Sequence, residues 1–381
     1  MIGDLSKRQL LIVGAVGVIA LAAIGAIGFT AMTGDTTPGE QADGAENPSA
    51  DAESDLSSED LPDGLTLDKG EVTVDESVLH SAHVEALSNT SFSMTTEIGT
   101  EGQDRTIVGG ADSDAVTYEF TSGERIATAY SNGEDAYFHE NDVNGELHYR
   151  VVDPQFINRE MVMNQRLSGA VVTASNLKYA GRVSDDPAKY RLEIASVSNA
   201  EGLLRPLQIA GELESATGYV VVNEQNVIEE LQITTESSLV GGEPVEDTRT
   251  VSMSDVGDTA IDEPSWLSDA EEQAIDFSVE ESDTGISMTH DSGDDVAEGM
   301  TVGVIAEESR YMAETPSDVG VGDTLHVSVV DGELAASVNS PIEGGEAISN
   351  PTQVVILDGE RPVFAEQVDF GDESSGSELR E

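Results

Sequence analysis

Apolar and polar positions follow several different rhythms along this chain, and each predicts a different kind of element. From Gln9 to Thr33 no charged residue occurs. About 24 helical residues at 1.5 Å each span roughly 36 Å, enough to cross a bilayer with some tilt. From Gly34 to about Asp75 the pattern collapses into acid, Ser, Gly, Ala and Pro, with almost no large apolar residue before Leu56. Such a segment cannot bury enough surface to offset its chain entropy, so it is expected to be a solvated, disordered tether. Helical periodicity then returns in "DESVLHSAHVEALSNTS". Val78, Leu79, Ala82, Ala86 and Leu87 share one face, and Asp75 is a plausible N-cap.

Beyond Asn89 the period changes to two. "SFSMTTEIG", "AVTYEF", "DAYFHE" and "LHYRVV" alternate between turns rich in Gly, Asn and Asp. "PQFINREMVMNQRLSGAV" reads as helical. "KYRLEIASV", "TGYVVVNEQNVIEELQITTE" and "EDTRTVSMSDVG" are further strands, with a hairpin turn at Asn223 to Asn226. This is an antiparallel α+β pattern with a helix at its start and another midway. From Phe277 to Phe370 seven short strands are expected: "FSVEE", "GISMTH", "MTVGVIAE", "DTLHVSVV", "ELAASVNS", "TQVVILD" and "PVFAEQVDF". Asp331-Gly332 and Asp358-Gly359 lie between pairs of them and favour tight hairpins, so the pattern is that of a β-sandwich.

Charge changes this picture in two ways. Acidic residues outnumber basic ones 75 to 17, for a formal charge of −58. A surface of that sign repels nucleic acid and anionic head groups. Self-repulsion of this size would strain a fold in dilute buffer, whereas at about 1 M salt the Debye length falls to roughly 3 Å. With only four lysines (Lys7, Lys69, Lys178 and Lys189), the dispersed acidic excess points to life in concentrated salt. Lys7 and Arg8 precede the uncharged run, which places the N-terminus in the cytoplasm and everything after Gly34 outside. A cleaved signal is the alternative to an anchor, with Ala31-Met32-Thr33 as a weak cleavage site. There is no cysteine, which excludes disulfides, thiolate metal sites and a lipid-anchoring cysteine.

Two resemblances bear on the fold. "HVEALSNTSFSMTTE", "LKYAGRVSDDPAKYRLEI" and "SMSDVGDTAIDEPSWLSDA", within His80 to Trp266, resemble an uncharacterised membrane-anchored family of halophilic archaea. The last of these also resembles the periplasmic lipoprotein-carrier superfamily. That likeness implies an antiparallel half-barrel sheet with covering helices and an apolar cavity for lipid or isoprenoid chains. Many of the archaeal relatives carry a lipobox cysteine, which this chain lacks, so a membrane helix would replace the lipid. "ISMTHDSGDDV", "VGVGDTLHVSV" and "VVILDGERPVF" resemble the C-terminal sandwich of archaeal pilin-like surface proteins, which implies an all-β, immunoglobulin-like module. The expected organisation is therefore a cytoplasmic tail at 1–8, an anchor at 9–33 and a linker at 34–75. A carrier-like α+β domain at 76–275, a sandwich at 276–371 and an acidic tail at 372–381 follow.

Candidate chemistry is sparse. Phe92, Met94, Tyr118, Phe120, Tyr149, Tyr190, Tyr219 and Trp266 are the large side chains of the first domain. Most of them fill a core, and the carrier resemblance makes a subset of them the wall of a ligand cavity. His80 and His83 lie three apart on a helix and could share a metal or simply pack. His139 and His148 flank a polar turn. "ISMTHDSGDDVAEGM" groups His290 with several acids, but Asp291 to Asp294 supply turn chemistry, and a sandwich connection accounts for them. No nucleophile elbow, zinc-protease, P-loop or dinucleotide motif occurs, and no cofactor is expected. Asn89-Thr90-Ser91 is the only glycosylation sequon. These features together predict a membrane-tethered, extracytoplasmic, non-catalytic protein that binds a lipid or other apolar group. The alternative is a structural module that contacts other cell-envelope proteins.

Overall fold

The computed structural model describes residues 61–368, apart from 101–102, 142–144, 146, 164, 239–241, 283, 307–308, 347 and 349–350. The predicted anchor at 9–33, most of the tether and the acidic tail lie outside the described residues. Among the described residues no helix is long and apolar enough to cross a membrane. Antiparallel strands dominate, as the alternating pattern predicts. The chain divides into two compact units, one holding 61–134 with 157–262 and the other 135–156 with 263–368.

The first unit opens with a hairpin of β1 (Leu65–Asp68) and β2 (Glu71–Val74). Order therefore begins before the predicted end of the tether at Asp75. A two-strand hairpin is marginal alone. This one is supported because Leu65 enters the core, with Leu61, Val72 and Val74 packed beside it. Helix α1 (Glu76–Ser88) follows, and its N-cap Asp75 accepts the Val78 amide as expected. Its buried stripe is Leu79, His83 and Leu87; of the expected face, Leu79 and Leu87 are buried, Ala82 and Ala86 are half-buried, and Val78 is 45% exposed.

Two meanders form the sheet of this unit. One runs through β3 (Phe92–Thr100), β4 (Gln103–Ala111), β5 (Val116–Ser122) and β6 (Arg125–Ser131). The other runs through β9 (Ser175–Asp185), β10 (Ala188–Val197), β11 (Glu212–Asn223), β12 (Ile228–Ser238) and β13 (Val245–Ser254). Pairing of β13 with β3 joins them into one antiparallel array. Helices α2 (Arg159–Val162), α3 (Gln165–Ala174) and α4 (Ala200–Leu207) occupy one face of it together with α1. The single midway helix predicted from "PQFINREMVMNQRLSGAV" is thus two short ones.

Period two places Phe92, Met94, Tyr190, Leu192, Val220, Leu231, Ile233 and Val251 on the helix-covered face, where they share a core with Leu79, Val162, Val171 and Leu203. The side chain of Arg159 ties three segments together. Its guanidinium donates to the carbonyls of Leu87 (3.0 Å), Thr90 (2.6 Å) and Asp112.

The second unit contains a hairpin of β7 (Ala136–Asn141) and β8 (Leu147–Val152), helix α5 (Leu267–Gln273) and two four-stranded sheets. One sheet orders β14 (Asp276–Ser282), β15 (Gly285–Ser292), β18 (Thr324–Val330) and β19 (Glu333–Val338). The other orders β17 (Arg310–Glu314), β16 (Thr301–Ala306), β20 (Pro351–Asp358) and β21 (Arg361–Gln367). Phe277, Ile286, Met288 and Leu325 from the first sheet share a core with Val302, Val304, Ile356 and Phe364 from the second. At the β18–β19 turn both Asp331 (φ 53) and Gly332 (φ 86) are left-handed, the tight hairpin that this dipeptide favours. Two segments expected within 76–275 fall in this unit. They are the hairpin 136–152 and the stretch from Glu263 through Trp266 to Ile275.

Candidate functional site

All six histidines are tied into the fold. His83 is buried, and its Nδ1 accepts the Ile228 amide at 3.0 Å, so the ring is held neutral. Burial first, and then His80, push its pKa down to about 4. The His80 ring lies against Gly169 of α3 and is lowered by burial. His290 is fully buried. Its ring stacks on Phe277 at 4.8 Å, and its Nδ1 donates to the Val319 carbonyl at 3.2 Å. The turn expected after it is present at Gly293 (φ +95), where any Cβ would strike the Ala274 carbonyl oxygen. His326 bonds Ser287, and His148 meets Arg361. His139 stacks between neighbours in an aromatic group with Tyr149 and Trp266, at centroid distances of 5.2 to 6.4 Å.

The eight large side chains singled out from the sequence do not converge. Phe92, Met94, Tyr118, Phe120 and Tyr190 stand on the helix-covered face of the first unit. Burial there pushes the Tyr118 phenol up to about 12. Tyr219 points the other way, because it sits at the opposite parity from Val220 and Val222 on β11. Its hydroxyl donates to Glu230, and Arg191 covers its ring at 3.6 Å. Tyr149 and Trp266 belong to the second unit. Five of the eight therefore share one face, and of these Phe92, Met94 and Tyr190 are fully packed into the core.

Cross-strand register reveals a feature that a linear reading does not. One row across the helix-covered face runs Val251, Thr96, Ile107, Phe120, Ala127 over β13, β3, β4, β5 and β6. The next row, towards the hairpin tips, runs Arg249, Ile98, Arg105, Ser122, Arg125. Three of the chain's 17 basic residues thus fall in one line, bordering half-buried Ile98, Ile107 and Phe120. Arg249 is anchored, since it pairs with Asp247 at 2.7 Å and donates to the Leu207 carbonyl at the end of α4. Arg105 is half-buried, and Arg125 is exposed beside the two-residue β5–β6 turn.

The opposite face of the same sheet end carries acid. An open cleft of about 530 Å³ is lined by Asp104, Glu236, Glu246, Thr248, Gly99, Thr100 and Pro244, with Glu236 directly across from Glu246. Among the described residues no group of three or more acidic or histidine side chains is placed to hold a metal ion. Asn89 is exposed at the C-cap of α1.

In the second unit, acids gather where the β7–β8 hairpin meets the sandwich sheets. Burial, then Asp276 and Asp153, raise Glu366 to about 7. Asp276 is itself raised by burial and by Asp291 and Asp135, against a smaller lowering by the Phe277 amide and His290.

No family model matches this chain, and no curated protein does. Among solved structures, a Pseudomonas aeruginosa MucA/MucB complex aligns with 9% identity over 71% of this chain and 96% of that one, with a TM-score of 0.25. A second structure, of MucB bound to MucA(peri), gives 11% identity, coverage of 69% and 92%, and a TM-score of 0.24. A bacterial ice-binding adhesin structure reaches a TM-score of 0.10 at 14% identity, covering 70% of this chain and 93% of that one.

Proposed function

We propose that this chain is a membrane-tethered, extracytoplasmic binding protein of a salt-rich environment, holding an apolar ligand by burial and performing no covalent chemistry. The observation that carries the binding role is the pair Ile107 and Phe120, which stay half-buried on the helix-covered face between buried Thr96 and Ala127. Helices α1 to α4 would act as the cover of a half-barrel-like sheet, and a lipid or isoprenoid chain would extend the core outward. The structural employment of all six histidines supports a non-catalytic role. The uncharged run at 9–33 behind Lys7 and Arg8 supports the tether and its orientation, and on that orientation exposed Asn89 is open to glycosylation. The test is to purify the full chain from its own membrane in molar salt and analyse extracted lipid by mass spectrometry. Stoichiometric lipid is expected, and its repeated absence would sink the proposal.

A second reading is contact with another envelope protein. It is favoured by the half-buried group His139, Tyr149 and Trp266, since aromatic side chains with a polar tip are enriched at protein interfaces. Crosslinking in intact cells separates the two, because only this reading requires a protein captured in stoichiometric yield.

A further inference from the structure

We infer that the face carrying His139, Tyr149 and Trp266 receives an arginine side chain of a protein partner, with apolar neighbours of that arginine resting on Leu147 and Val151. This rests on the second reading above and names the chemistry of the partner. Trp266 stands at the start of α5, and the rings of His139 and Tyr149 lie 5.2 and 6.4 Å from it at interplanar angles of 11° and 28°. On β8, Leu147 and Val151 share the face of Tyr149 by period two, and Leu147 is 51% exposed. Half-buried rings beside an exposed leucine make the kind of surface that protein partners cover.

What selects arginine is the contrast with the other aromatic rings. The chain covers Phe92 with Arg159, Phe138 with Arg150, Tyr190 with Arg182 and Tyr219 with Arg191, at 3.6 to 5.9 Å. Among the described residues no arginine or lysine covers Trp266 or Tyr149. Arg150, the hairpin's only arginine, serves its opposite face, over Phe138 and 3.9 Å from Glu140. Carboxylates border the rings instead. Burial first, and then Asp269, raise the Tyr149 phenol. Burial, and then Asp135, Glu271 and Asp276, do the same to Tyr137, which shares the His139 face of β7. A ring face attracts a cation, and a planar guanidinium stacks on it in a way that an ammonium cannot. At about 1 M salt charges are screened beyond roughly 3 Å, so a cation touching rings and rim is still recognised while the overall charge of −58 is not felt.

Trp266 is the chain's only tryptophan, so its emission reads this face directly. Titration of the full-length chain, in nonionic detergent and molar salt, with N-acetyl-Leu-Arg-Leu-amide or N-acetyl-Leu-Gln-Leu-amide tests the inference. The arginine peptide is expected to shift the emission saturably and to bind about two- to fivefold more tightly, the size of one exposed cation–π contact. Equal affinities, or no saturable shift, overturn the arginine inference. Crosslinking in intact cells then compares the wild type with the double variant Trp266→Leu, Tyr149→Leu and with Trp266→Phe, matched melting curves showing that the variants fold. The double variant should capture at least about tenfold less partner, and Trp266→Phe, which keeps a ring, should retain most of it. A stoichiometric partner captured equally by the double variant overturns the site but leaves the partner reading standing. Capture of no protein by the wild type overturns both.

Discussion

Glu366 provides a quantitative test of how the second unit is held together. Its carboxyl is raised from 4.5 to about 7, first by burial and then by Asp276 and Asp153. The folded chain therefore binds this proton more tightly than the unfolded chain. The favourable contribution is complete below about pH 4.5, and it is lost as pH rises through 7. A shift of that size corresponds to at most about 3 kcal/mol, and because the side chain is only half-buried, solvent screening reduces this to about 1–2 kcal/mol. Glu366→Gln mimics the protonated acid at every pH. The variant should nearly match the wild type at about pH 5 and exceed it at about pH 8, where the gain corresponds to roughly 3–8 °C in melting temperature for a unit of this size. The assay is thermal unfolding of the full chain at the two pH values, in low and in molar salt. Salt should shrink the gap by screening Asp276 and Asp153, and the part due to burial should persist. A gap that is the same at both pH values, or a glutamine variant less stable at pH 8, would refute the reasoning.

Other outcomes follow from the first unit. Arg159→Ala strips three carbonyls of their donor and should cost about 2–4 kcal/mol, read as a lower denaturation midpoint with unchanged slope. His83 has its pKa lowered to about 4, so its contribution is present above about pH 6.5 and lost as pH falls through 4. His83→Gln should flatten that acid-side loss in a melting series. If Asn89 carries a glycan, the peptide holding it will be heavier in protein from the native membrane, and Ser91→Ala will restore the bare mass while Ser91→Thr will not.

Alternation made β3, β5 and β10 to β12 legible, because each has large side chains at every second position. It missed β4, where Gly109 and Gly110 stand at positions whose space is taken by Val162 and Ile261. It missed β6, whose inward residues are Ala127 and Ala129, and β17, whose outward Met312 blurs the pattern. Helix α4 escaped because it is one short amphipathic stretch with Pro206 inside it. The β1–β2 hairpin was hidden in acid-rich sequence that resembles the tether before it. The grouping of residues 136–152 with the sandwich depends on contacts far apart in sequence, which no local pattern records. The arginine row was out of reach for a related reason. Its members are spread between positions 105 and 249, and only the register of five strands brings them into line.

The joining of β3 to β13 also has a consequence for the route by which the chain acquires its structure. Each meander is built from neighbouring hairpins and can form early, whereas Met94 meets Met253 only when a loop of roughly 160 residues closes. Closing it costs about 2.5 kcal/mol more in chain entropy than closing ten residues. Until it closes, β3 and β13 are both free edges with one apolar side, the arrangement most prone to pairing with another molecule. The middle of the finished sheet is thus the last part to assemble, and mutations there should hasten unfolding more than they slow refolding.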